Sequence, residues 1–211
     1  MKKVIITLAA LAASSAAVAG PSWTYVDGAY TRSSSLEAAG TDKAQGYELE
    51  GSFGFANIWH VAGVYGSAET ETLGDGGDLE IEDYYSIRGG VHPAISDSTD
   101  FVAEIGYTGW SVKSPAGITV DPKAYDLTVG VRSMLSDRFE LNGFLTYQSG
   151  DTDSDGDDKF QIFAPTLGGQ YFFTDNFSVN LAYTWGDIQS TVLAAGAAVA
   201  DTGRFGVRWS F

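Results

Sequence analysis

The 211-residue chain contains no cysteine and only two histidines, His60 and His92. The first absence removes disulfide staples and any thiol nucleophile, so a fold built from this chain must be held by its own hydrogen bonds. Basic residues are scarce too: 12 Lys and Arg stand against 27 Asp and Glu, a formal net charge of -15. That balance excludes nucleic acid as a partner, because phosphates demand a basic surface. No apolar run reaches the roughly 20 residues of a membrane-spanning helix. No G-x-S-x-G motif occurs, and no composition shift marks a linker between two cores.

An apolar run, Val4 to Leu11, follows the positive Met1-Lys2-Lys3 and precedes a small-residue stretch over 12–19. Its length, its flanks and the small-x-small Ala17-Val18-Ala19 describe a secretory signal, with cleavage expected after Ala19. A mature domain of 20–211 would then carry ten basic and 27 acidic side chains, a net charge of -17.

What the chain has in quantity is glycine, 26 residues, and aromatics, 28 in all (5 Trp, 11 Tyr, 12 Phe). Mean hydropathy is only -0.04. Low hydropathy is compatible with a barrel in lipid, because each strand shows its apolar side only at every second residue. Such period-2 segments recur ten times, over 23–32, 45–56, 58–69, 79–92, 100–113, 123–135, 139–149, 160–173, 177–188 and 202–211. In the ninth, Phe177, Val179, Leu181, Tyr183 and Trp185 alternate with Ser178, Asn180, Ala182 and Thr184.

Connections alternate as well. Short turns at Asn57, Pro93 to Thr99, Ser136 to Arg138 and Thr174 to Asn176 are interleaved with longer polar segments at 33–44, 70–78, 114–122, 150–159 and 189–201. Short turns on one side and long loops on the other orient a membrane barrel with both termini in the periplasm. Each short turn also launches an aromatic-led strand, at Trp59, Phe101, Phe139 and Phe177, and Tyr65, Tyr107, Tyr147 and Tyr183 follow. Two aromatic levels about 15 to 20 Å apart suit two interfacial girdles.

At the C-terminus Phe205, Val207, Trp209 and Phe211 alternate with Arg204, Gly206, Arg208 and Ser210, and the chain stops on the aromatic. This last strand resembles the assembly signal of bacterial outer-membrane proteins. The mature length is similar to the small single-domain barrels of the OmpA-like and OmpX-like type. The resemblance implies an integral outer-membrane barrel among lipid and lipopolysaccharide, inserted by the assembly machinery through that strand. It departs in strand number: such barrels usually have eight strands, whereas this sequence reads as ten. The expected fold is an all-β, up-and-down antiparallel transmembrane barrel.

The register puts Asp27, Glu48, Glu50, Arg88, Glu104, Asp126, Arg132, Glu140, Arg204 and Arg208 on the inward face. Unpaired charges there would cost several kcal/mol each, so acids and bases must pair. The paired interior reads either as a polar plug that sets strand register or as a narrow porin-like channel, with Gly90, Gly106 and Gly130 leaving room.

The loop sequence Gly150 to Asp158 contains D-x-D-x-D-G, whose Asp151, Asp153 and Asp155 have the spacing of calcium ligands. Ile162 stands where the bidentate glutamate of a full EF-hand would be, so an acidic hairpin loop is the plainer reading. Weak calcium binding, or a calcium link to lipopolysaccharide phosphates, is the sharper one. No other cofactor is expected. Barrel proteases and deacylases use histidine at the external rim, but His60 and His92 fall near the short turns, so no enzyme is expected. The expected role is structural, with acidic loops displayed for interaction or adhesion; the alternative is a diffusion channel for ions or small solutes.

Overall fold

In the computed structural model the described residues are 21–33, 41–72, 80–113, 117, 119–152, 159–189 and 201–211. The expected signal segment 1–19 lies outside them. Ten long strands follow one another: β1 (Tyr25–Ser33), β2 (Thr41–Phe55), β3 (Trp59–Thr72), β4 (Glu80–Val91), β5 (Thr99–Lys113), β6 (Pro122–Ser136), β7 (Phe139–Thr152), β8 (Lys159–Phe172), β9 (Phe177–Thr184) and β10 (Thr202–Ser210). Each pairs antiparallel with its neighbours in sequence. Strand β10 then pairs back onto β1, from Tyr25 with Ser210 to Ser33 with Thr202. The sheet therefore closes as a ten-stranded barrel and leaves no free edge to attract another strand.

The alternation works because cross-strand partners share a face. Tyr25, Ser52, Ala62, Arg88, Gly106, Asp126 and Gln148 are successive partners around the ring, and all face inward. The opposite parity is exposed and apolar. Trp59, Phe101, Phe139, Phe177 and Trp209 form an outward level near the short turns, and Tyr47, Tyr65, Tyr125, Tyr147 and Tyr183 form a second nearer the long loops.

Besides register shifts at Thr41/Lys43, Gly66/Ala68, Ile81/Asp83 and Met134/Ser136, two segments depart from the expected strands. The first strand begins at Tyr25, not at residue 23, because Trp23 leaves the ladder and turns into the barrel. The ninth breaks after Thr184 and resumes as the short strand Asp187–Gln189. Pro165 on β8 supplies the reason. Both backbone groups of a residue in an antiparallel ladder point to the same neighbour. The Trp185 amide donates to the Pro165 carbonyl at 2.9 Å, but proline has no N–H to return. One ladder bond is lost there, and Gly186 turns its amide to Asp201 Oδ1 at 3.2 Å instead.

Candidate functional site

The ten charged residues expected inside project into the lumen, and Asp100 on β5 joins them. Together they amount to seven carboxylates and four guanidinium groups. They lie at two depths.

One network runs from just above the turn end to mid-height, and in it Asp27 is fully buried and accepts three hydrogen bonds: from Arg204 Nη2 at 2.7 Å, Arg208 Nε at 2.8 Å and Asn180 Nδ2 at 2.6 Å. Arg204 also donates to Glu48 and to Asn180 Oδ1, and the Tyr84 hydroxyl donates to Glu48. Glu50 Oε1 accepts from the Tyr25 hydroxyl at 2.9 Å and from Arg88 Nη2 at 3.2 Å. Arg88 Nη1 lies 3.8 Å from Glu104. The guanidinium of Arg208 sits 3.7 Å above the centre of the Tyr25 ring.

Most of these groups come from β9, β10, β1, β2 and β4, so the network hugs one half of the wall. Strand β3 contributes no charged or long side chain here, only Ala62, Val64 and Gly66, which lets Tyr84 and Arg88 on β4 reach the carboxylates of β2. Gly106 has a similar use: a Cβ there would lie 2.7 Å from Arg88 Cγ.

The other half of the wall is smaller and nearly neutral. Asp126 accepts from Thr108 at 2.6 Å and from Gln148 at 2.8 Å, and the hydroxyls of Thr128 and Thr146 are 2.9 Å apart. Nearer the long loops it turns apolar, where Ala124, Phe160, Ile162 and Ala164 are buried and Trp110 meets Phe160 edge-on at 5.6 Å.

The turn end is different again. Trp23 stacks on His92 with ring centres 4.2 Å apart and an interplanar angle of 14°, and lies 4.4 Å from the ring centre of His60. The indole N–H donates to Asp100 Oδ2 at 2.7 Å, and Arg132 sits 4.5 Å over the ring. Arg132 grips Glu140 bidentately at 2.8 and 2.9 Å and donates to the Ser22 carbonyl at 3.0 Å. His60 Nε2 pairs with Glu104 at 2.6 Å. In a ten-strand ring β6 lies opposite β1, so the segment entering β1 crosses the full width of the mouth to reach Arg132.

Water access differs among these side chains, and Asp27 is as fully buried as Glu140. The side chains of Arg88 and Arg204 remain 26% and 17% exposed, although both lie within the barrel. Those of Arg132 and Glu140 are 5% and 0% exposed.

Trp23, Tyr25, Tyr84, Asp100 and Asn180 are lumen residues beyond those the sequence pattern picks out. Asp100 shares parity with Val102 and Glu104, a signal that its place beside a turn concealed. Phe205, Val207 and Trp209 face outward, and the Phe211 amide donates to the Thr24 carbonyl at 3.0 Å. Asp151 is exposed at the end of β7, whereas Asp153 and Asp155 lie outside the described residues. Among the described residues no group of three or more His, Asp and Glu side chains is placed to hold a metal.

A closed barrel with an apolar, aromatic exterior and a charged interior is a transmembrane β-barrel. The sequence matches the outer membrane protein beta-barrel domain family over residues 4–211, and the chain belongs to that family. It is an outer-membrane protein. No curated protein matches it in sequence. Its fold is similar to that of an outer membrane channel from Pseudomonas putida F1, at 10% identity, with 90% of this chain and 95% of that one covered and a TM-score of 0.57. It is also similar to the beta domain of the Bordetella autotransporter BrkA, at 11% identity, 90% and 100% coverage and a TM-score of 0.54. The NanC porin aligns at 15% identity over 89% of this chain and 98% of that one, with a TM-score of 0.47.

Proposed function

We propose that the protein is a narrow diffusion channel for small ions, with its turn end and both termini in the periplasm. The supporting observation is the partial exposure of Arg88 and Arg204 at mid-lumen, where charged groups on one wall face a small, mostly neutral wall across a space that water enters. Fixed charges beside a water column are the elements of ion selection. The two histidines are engaged with Glu104 and with the Trp59 carbonyl, and the reading includes no chemistry.

A second reading, an envelope scaffold that displays acidic loops for interaction or adhesion, is favoured by the fully buried Asp27 and Glu140, whose pairs fix strand register. In either reading the exposed apolar face of β10 serves the assembly machinery, and lipid and lipopolysaccharide surround the barrel. Single-channel recording in planar bilayers separates the two. The channel reading expects discrete openings whose amplitude and ion preference change in Arg88→Ala. A folded wild-type protein that stays silent at every voltage would leave the scaffold.

A further inference from the structure

We infer that Trp23 is a gate across the turn-end mouth, and that the path it closes selects small cations. This rests on the channel reading above and adds to it the moving part and the sign of the permeant ion.

The position of Trp23 in the chain makes it movable. Residues 21–24 belong to no strand, so displacing Trp23 breaks none of the ladder bonds that close the barrel. The anchor lies one residue further on, where Thr24 accepts the Phe211 amide through its carbonyl and the Gly54 amide through its hydroxyl at 3.2 Å. Upstream of that anchor, Trp23 and Ser22 are held by contacts that can be exchanged for water. These are the stack on His92, the indole bond to Asp100, the Arg132 face contact, the Ser52 hydroxyl on the Trp23 carbonyl at 2.8 Å and the Arg132 bond to Ser22.

The barrel is also shaped for this side chain. A Cβ on Gly54 would lie 2.8 Å from Trp23 Cβ, so glycine there lets the segment that carries the indole pass close to β2. The contrast in exposure agrees with this geometry: Arg132 and Glu140 at the indole are 5% and 0% exposed, whereas Arg88 and Arg204, away from it, are 26% and 17% exposed. The described lumen as a whole, the gate's own neighbours Asp100, Arg132 and Glu140 included, carries seven carboxylates against four guanidinium groups. An excess of three acids in a confined space attracts cations and repels anions.

The test records wild type, Trp23→Ala and Gly54→Ala in planar bilayers under a KCl gradient, after a heat-dependent shift on SDS gels has shown that each is folded. Both variants should raise open probability at least about tenfold, the equivalent of about 1.4 kcal/mol of closing free energy, with the reversal potential displaced toward that of K⁺. Trp23→Phe keeps the stack and loses the indole donor, and should fall between them and wild type. Wild-type openings left unchanged in duration by both substitutions would remove the gate and keep the channel. A silent wild type beside a conducting Trp23→Ala would remove the resting channel and keep the gate. Silence in all of them would overturn both, and a displacement toward the Cl⁻ potential would overturn the cation path.

Discussion

Two arginine–carboxylate pairs of the same chemistry stand at different depths of one barrel. Arg132 and Glu140, beside Trp23, have side chains 5% and 0% exposed; Arg88 and Glu50, at mid-lumen, are 26% and 14% exposed. A pair sealed from water owes its charge state entirely to its partner, whereas a wetted pair shares that duty with solvent. The sealed pair therefore acts as architecture, and the wetted pair is free to respond to whatever enters.

The sharpest way to break this comparison is Arg132→Ala. It strands the Glu140 carboxylate with no route to water, so the substitution should cost about 3–5 kcal/mol in urea-induced unfolding from lipid bilayers. Replacing both partners, as Arg132→Met with Glu140→Leu, should recover most of that loss, because no lone charge is left. A single-variant cost below about 1 kcal/mol would mean that water reaches the turn end after all.

These depths were not legible in the sequence, although the barrel was. Parity alone puts Asp27, Arg132 and Glu140 on the inner face, since a one-residue slip would turn an apolar strand inside out. Which acid meets which base depends on closure. Asp27 meets Asn180, Arg204 and Arg208 across 153, 177 and 181 residues of chain, and they become neighbours only when β10 pairs with β1. Trp23 was hidden for a different reason. Its parity matches Tyr25, so it reads as one more strand residue, and nothing local announces that the backbone leaves the ladder before Thr24. The break at Trp185 and Gly186 had a visible cause in Pro165, but that cause lies on another strand and acts only through the register of β8 with β9.

A smaller effect contrasts the two walls. Phe160→Ala removes the ring that Trp110 packs against on the neutral side and should cost about 3 kcal/mol in the same unfolding assay. Because that wall carries little charge, ion preference in bilayer recordings should stay as in wild type. A shift in preference without loss of stability would place the permeation path along Phe160 instead of along the arginines.

The smallest effect is the most discriminating. Arg88→Ala removes a cation from between Glu50 and Glu104, 3.2 and 3.8 Å away, an arrangement that looks as costly to disturb as that of Arg132. Yet Glu50 keeps the Tyr25 hydroxyl and Glu104 keeps His60, and water that reaches Arg88 can enter the space its side chain vacates. The loss should therefore be about 1 kcal/mol, a fraction of that for Arg132→Ala. The same substitution leaves the lumen one positive charge poorer, so cation preference should rise while stability barely changes. Equal stability costs at Arg88 and Arg132 would show that both depths are sealed, and the distinction between architecture and pathway would then collapse.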